Sequence, residues 1–339
     1  MSRPLKAGVI GLGIGERHIV GYQSIPNVEV KAVCDINPAQ LAEVADRRDI
    51  RDRYTDWRPL VADPEIDVVS ICSYDDAHAE QVVGAFQNGK HVFVEKPLAL
   101  HPRESEAILE AWQESGSTLQ MSSNLILRRS PRFIDLKARL QAGAFGRITY
   151  VEGDYLHQIL HKITEGWRGK MPFYCVTYGG GIHLIDLMRW LIDDEIVEVS
   201  SMGTTVLAPE STYRYPDLIV SLLRFAGGAL GKSVTHFAPT RTKFHALRLY
   251  GTERTFINDL PHGQEFTGDD PEHDVHQNTV PYPAMEKGDL LPDFVEALQH
   301  GRPPLVTMSD VFRVMDVCFA CWSATESGRT TPVRYLLPP

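Results

Sequence analysis

The sequence predicts an α/β protein in two parts: a parallel, doubly wound sheet, then an α+β region built on a large open, mostly antiparallel sheet. Three observations lead there. Up to residue 122, apolar strand-like runs alternate with helical stretches over short links, the pattern of parallel crossover units. Beyond it, long β-like runs follow one another without intervening helices, which suits antiparallel pairing. At 339 residues the chain also exceeds what one core usually organises. The expected domains are therefore 1–122 and 123–339.

The first strand reads LKAGVIGL and ends in glycines; VEVKAVCD, ending in Asp35, is the second. IDVVSIC is nearly all apolar, as a strand buried on both faces should be. HVFVE and STLQM complete this set. Between them, PAQLAEVADRR, AHAEQVVGAFQNG and PRESEAILEAWQESG read as helices, the last two stopped by Gly89 and Gly116. In the second part SPRFIDLKARLQAGAFG is helical. RITYVEGDYLH, VEVSSMGTTVL, DLIVSLLRFAGG, ALGKSVTHF and HALRLYGTERTFIND then read as strands, and DLLPDFVEALQHG and SDVFRVMDVCFACWSATESG as closing helices.

Composition excludes several classes. The net charge of −10 disfavours a nucleic-acid partner, because an acidic chain repels phosphate backbones. No apolar run reaches about 18 residues, so no membrane partner is expected. The N-terminus runs straight into a strand, unlike a signal peptide. Five scattered cysteines point to reduced thiols and a cytoplasmic location. Cys318 and Cys321 form a C-x-x-C in an apolar helical run, which reads as two buried residues one turn apart. His157 and His161, four apart, have metal-ligand spacing, but no glutamate or third ligand accompanies them, so no metal is expected.

The turn Gly11-Leu12-Gly13-Ile14-Gly15 lies between a strand and a helix, and Asp35 stands 22 residues after Gly13. This is a dinucleotide-binding arrangement, and it makes the first part a Rossmann domain. Gly11 permits the tight turn and Gly13 lets the backbone approach a pyrophosphate. The helix N-terminus offers N–H donors and partial positive charge. The Asp35 carboxylate suits two ribose hydroxyls and repels a 2′-phosphate, so the expected cofactor is NAD. The third glycine comes one residue early, with Glu16 in its usual place.

GLGIGERH, Ser73-Tyr74-Asp75-Asp76-Ala77-His78-Ala79-Glu80, Glu95-Lys96-Pro97-Leu98, Gly179-Gly180-Gly181-Ile182-His183-Leu184-Ile185-Asp186 and the closing FVEALQHGRPPLVTMSD together resemble the Gfo/Idh/MocA oxidoreductases, over essentially the whole chain. The resemblance implies hydride transfer to or from a hydroxyl carbon of a sugar, polyol or cyclitol. It implies that Lys96 contacts substrate and nicotinamide ribose, and that Glu95, Ser73, Tyr74 and His78 belong to the cofactor site. It also makes Lys96–Pro97 a candidate cis peptide. Two further departures appear. Ser73-Tyr74-Asp75 replaces a usual Thr-Pro-Asn, and Gly179 stands where relatives often carry an acidic residue four before the histidine.

An alcohol oxidation needs a base with a pKa near working pH, which fits His183 at the start of a helix. Asp186 lies on the same helix face and is placed to hold the imidazole or to pair with Arg189. Tyr155, Trp167, Arg168 and Tyr178 precede or border this motif and, with Asp186, are candidate substrate contacts. Two other readings stay open: NAD-assisted glycoside cleavage, and a non-catalytic dinucleotide-binding sensor. The strands between 218 and 258 suggest a homodimer or homotetramer.

Overall fold

The computed structural model describes residues 3–207 and 211–338. Two compact units emerge: residues 1–126 with 286–312, and residues 127–285 with 313–339.

The first unit alternates strand and helix: β1 (Leu5–Ile10), α1 (Gly15–Gln23), β2 (Val28–Cys34), α2 (Pro38–Arg47), β3 (Asp52–Tyr54), α3 (Trp57–Ala62), β4 (Val68–Ile71), α4 (His78–Gln87), β5 (His91–Val94), α5 (Pro102–Glu114) and β6 (Met121–Ser123). The strands pair in the order β3-β2-β1-β4-β5-β6, all parallel. This order reverses direction between β1 and β4, where doubly wound sheets bind ligands. All four residues of β4 are buried, as the apolar run requires. Local chemistry starts α2: the Asn37 side chain accepts from the Ala39 and Gln40 N–H groups, and Pro38 occupies the first turn.

Two details differ from the sequence reading. β6 lies at 121–123 rather than across STLQM. Ser117 takes φ +59°, and the Trp112 indole donates to the Leu119 carbonyl, so residues 117–120 serve the turn out of α5. The helix α9 (Leu291–His300) and its flanks belong to the first unit although they follow the second in sequence. Gly21 of α1 leaves room for Leu291, and Phe294 meets Phe93 at 5.5 Å between ring centroids.

The second unit contains α6 (Pro131–Gln141), β7 (Ile148–Leu156), α7 (His161–Thr164), α8 (Ile182–Ile192), β8 (Ile196–Thr204), β9 (Leu218–Phe225), β10 (Leu230–His236), β11 (Phe244–Gly251), β12 (Thr255–Ile257), β13 (Gly263–Phe266) and β14 (Val275–Asn278). It also holds most of α10 (Met308–Ser327) and β15 (Thr331–Pro332). Its nine-stranded sheet runs β14-β13-β12-β11-β7-β10-β9-β8-β15. Every pairing is antiparallel except β7 with β10. Helix α8 packs on β7 at Gly153, where a Cβ would meet Leu184 Cβ and Met188 Sδ at 3.0 Å.

All five cysteines are free and buried. No helix among the described residues is long and apolar enough to cross a membrane.

Candidate functional site

The first unit places its candidate cofactor residues around the β1–α1 turn. Gly11 has φ +84°, and a Cβ there would lie 2.5 Å from the Cys72 carbonyl oxygen, so only glycine fits. Gly13 is exposed, and its Cβ position has nothing nearer than Gln40 Nε2 at 4.0 Å. That open space is what a pyrophosphate needs above the backbone. Ile14 is half-buried and leads directly into α1, whose N-terminus faces the turn.

Asp35 is fixed from both sides. One carboxylate oxygen accepts from Leu12 N at 2.7 Å, the other from Asn37 N at 2.8 Å. A carboxylate has about four acceptor directions, so each oxygen keeps one for a ribose hydroxyl. The groove beside it is lined by Gly13, Asn37, Gln40, the acids Glu16 and Glu43, and Arg47.

Beyond β5, Glu95 is buried and accepts from Asn124 Nδ2 at 2.7 Å, with His18 Nε2 at 3.4 Å. Burial alone would raise its pKa. The His18 ring and the charges of Lys287 and Lys96 prevail and hold it well below the usual carboxylate range. Lys96 is half-buried at the C-terminal end of β5, and its bond to Pro97 is cis, as expected. Tyr74 is half-exposed, while Ser73 donates to Gln81 Oε1 at 2.6 Å.

In the second unit, Thr177–Gly181 forms one π-helical turn, a geometry common at functional sites. It delivers His183 to the second position of α8. A Cβ on Gly180 would come within 2.5 Å of the Tyr155 ring, so the glycines let the helix start press onto the sheet. There the half-buried His183 ring stacks on Tyr155, centroids 6.2 Å apart and planes at 24°. Tyr155 Oη meets His157 Nδ1 at 3.0 Å. His245, opposite Tyr155 in the β7–β11 register, completes the cluster with its ring 6.4 Å from His183. His245 Nδ1 lies 2.9 Å from the Tyr282 hydroxyl. Burial, with Lys243 and His157 adding to it, pushes His245 down to about 3, so it stays neutral against His183.

Comparison with known proteins agrees with this geometry. Residues 5–123 match the oxidoreductase family with an NAD-binding Rossmann fold, and residues 133–257 match the GFO/IDH/MocA C-terminal domain. The chain belongs to the Gfo/Idh/MocA oxidoreductase family. Similar chains include the levoglucosan dehydrogenase of Pseudarthrobacter phenanthrenivorans, 26% identical over 92% of this chain and 89% of its own. Another is the scyllo-inositol 2-dehydrogenase (NAD(+)) of Bacillus subtilis, 27% identical over 97% of this chain and 96% of its own. Among solved structures, a levoglucosan dehydrogenase in complex with NADH superposes with a TM-score of 0.87 at 25% identity. That match covers 98% of this chain and 100% of the other.

Within the family frame, two of the three departures in the sequence have a structural account. A Cβ on Gly15 would lie 2.9 Å from Val9 Cγ1, so Gly15 provides the close helix–strand contact usually given by the third glycine. Glu16 turns to α2, where Arg47 and Arg48 hold it. These pairs push its pKa down to about 2. The absent carboxylate at 179 has a steric cause: a Cβ there would overlap the Tyr174 hydroxyl.

Three candidate residues are buried. His78 is fully buried. Its Nδ1 lies 2.7 Å from the Pro97 carbonyl and its Nε2 3.2 Å from that of Ser73, so it ties the two loops together. Tyr178 is buried in the core, its ring against Phe173 and Phe319. Asp186 is wholly buried, its carboxylate gripped by Arg128 at 2.6 and 2.9 Å, while Arg189 pairs with Glu195. Trp167 and Arg168 stay together, the guanidinium 4.2 Å from the Trp167 ring centroid. His18, His245, Lys287 and Tyr174 went unnoticed in the sequence. Only His18, inside GERH, carried a local signal.

Gly179→Ala should therefore cost about 1–3 kcal/mol by overpacking. Tyr174→Phe, which removes the overlapping oxygen, should recover part of that loss in the double variant. Urea denaturation of the four proteins measures it. Additive effects would sink the assignment of Tyr174 as the occupant of the site.

Proposed function

We propose that the protein is an NAD-dependent dehydrogenase or reductase acting on a hydroxyl carbon of a sugar, polyol or cyclitol. The observation that carries this reading is His183 seated on Tyr155 at the start of α8, in a chain that keeps Lys96 at the end of β5. The named activities of the similar chains, on levoglucosan and scyllo-inositol, support the substrate class.

Gly11, Gly13, Ile14, Gly15 and Asp35 would hold the pyrophosphate and adenosine ribose of NAD, and Ser73, Tyr74, His78, Glu95 and Lys96 its nicotinamide end. Bound NAD supplies the hydride acceptor. His183 takes the hydroxyl proton as the carbon is oxidised, and Lys96 contacts the substrate and the nicotinamide ribose. Tyr155 fixes the imidazole plane. In the reverse direction the same groups return the proton.

The test offers NAD and a panel of sugars, sugar acids and cyclitols and follows reduced nicotinamide. NADH formation is expected with at least one of them. Release of reducing sugar without net NADH would mark glycoside cleavage instead, and NAD binding with neither reaction would favour a sensor. Asp35 should make NAD bind at least about tenfold more tightly than NADP, about 1.4 kcal/mol. Asp35→Asn, which removes the charge and keeps an acceptor, should narrow that gap. Equal affinities in the unaltered protein would end the NAD preference.

We also infer a cytoplasmic homo-oligomer. The outer sheet face exposes Met202 at 81%, Leu222 at 59% and Leu230 at 48%, an apolar patch suited to a second copy. Monomers in light scattering would refute it.

A further inference from the structure

Asp35 belongs to a longer run of donors and acceptors at the start of α2. Its two oxygens take the Leu12 and Asn37 N–H groups at 2.7 and 2.8 Å. The Asn37 side-chain oxygen in turn takes the Ala39 and Gln40 N–H groups at 3.0 and 3.4 Å. The N-terminus of α2 is therefore filled by the chain itself, where a phosphate would otherwise find its donors.

Leu12 and Asn37 also line a groove of about 420 Å³ between α1 and α2, together with Glu16, Glu43 and Arg47. Arg47 closes α2, and Arg48 follows it. Arg47 donates through Nε and Nη2 to the two oxygens of Glu16, at 2.9 and 3.0 Å, and through Nη1 to Glu43 at 2.8 Å. Arg48 donates through Nε and Nη2 to Glu16 Oε1 at 2.8 and 2.6 Å. Glu16 thus takes the whole fork of one guanidinium and one edge of another, the donors that would match a phosphate. Its pKa, held down to about 2 by these pairs, keeps it charged at neutral pH.

All four side chains reach solvent, and exposed ion pairs add little to stability. Their larger effect is on the field in the groove. Asp35, Glu16 and Glu43 set three negative charges against the two of Arg47 and Arg48. A groove of this size is no wider than the Debye length, about 10 Å at 0.1 M salt, so an anion at its Asn37 end feels these charges. Position 16 is open to an acid because Gly15 already makes the close contact with Val9 one residue earlier.

We propose that Glu16 is a specificity-determining residue: by occupying Arg47 and Arg48 it denies both to a ribose 2′-phosphate and keeps the groove net acidic, reinforcing Asp35 in selecting NAD over NADP. This role rests on the NAD reading above and assigns part of the selectivity to a residue outside the strand end that carries Asp35.

The full-length protein, Glu16→Gln, Asp35→Asn and the double variant are titrated with NADH and with NADPH, following nicotinamide fluorescence. The ratio of the two affinities within one variant cancels any general loss of folded protein. Glu16→Gln should move that ratio toward NADPH by about fivefold, and about 0.5 M salt should shrink the shift. The double variant, with two arginines facing only Glu43, should move it further than either single one. Arg47→Met added to Glu16→Gln should remove most of the gain, because the released guanidinium is the receptor. A ratio unmoved by Glu16→Gln, or a shift that survives Arg47→Met in full, would overturn the proposal. Equal affinities in the unaltered protein, with the Glu16→Gln shift still present, would keep the role of Glu16 and end the NAD preference.

Discussion

His183→Gln is expected to lower kcat by about 10²–10⁴-fold, the usual contribution of a positioned general base. The affinity for NAD should stay within about twofold, because every group placed around the pyrophosphate and adenosine ribose lies in the first unit. The pH profile gives the sharper reading. A histidine base makes kcat rise through its titration and level off once the ring is neutral; glutamine removes that limb and leaves a flat residual rate. Lys96→Met should cost a similar factor, and the double variant little more than the worse single one, since groups serving one transition state are not additive. Tyr155→Phe is the control. It keeps the ring stacked on His183 and loses only the hydroxyl that meets His157. It should therefore retain far more activity than Tyr155→Ala. A His183→Gln variant with undiminished kcat and an intact ascending limb would remove the imidazole from the chemistry.

How much of this was legible in the sequence depends on the range of the interaction that decides each feature. The β1–turn–α1 unit and Asp35 were readable because their determinants are local: glycines at a tight turn and an acidic residue at a strand end. The early third glycine looked like a defect in the motif, yet its contact with Val9 is short-range packing that a strand–turn–helix reading could have anticipated. The short strands β3, β13 and β14 lack room for a period to show, and their neighbours in the sheet create them. The candidate residues of the second unit depended on pairings far apart in the chain. His245 is indistinguishable from any inward residue of its strand until the β7–β11 register sets it opposite Tyr155. Tyr178 beside the glycine motif looked available to a ligand and turned out to be core, because the helix α10, more than a hundred residues later, supplies Phe319 against it. Tyr174 and Gly179 are close in sequence, but only the π-helical turn brings the hydroxyl to the glycine.

Breaking the Arg128–Asp186 pair should produce the largest loss of stability. Both side chains are almost wholly inaccessible, 2% and 1% exposed, and two hydrogen bonds join them. The guanidinium also lies 5.7 Å from the Trp190 ring centroid on the same helix as Asp186. Desolvating two charges is costly, and their attraction at close range offsets that cost only while both are present. Arg128→Met leaves the Asp186 carboxylate buried without its guanidinium, and should cost about 3–5 kcal/mol in urea denaturation. Asp186→Leu strands Arg128 in the same way. The double variant, with an apolar pair in the same volume, should lose clearly less than the sum of the two. Strict additivity would mean that the pair holds nothing together. The effect should reach the chemistry as well, because Asp186 lies one turn after His183 and anchors the helix that carries it. Either single variant should therefore lower kcat at temperatures well below its unfolding midpoint, and the double variant should recover part of that activity along with its stability.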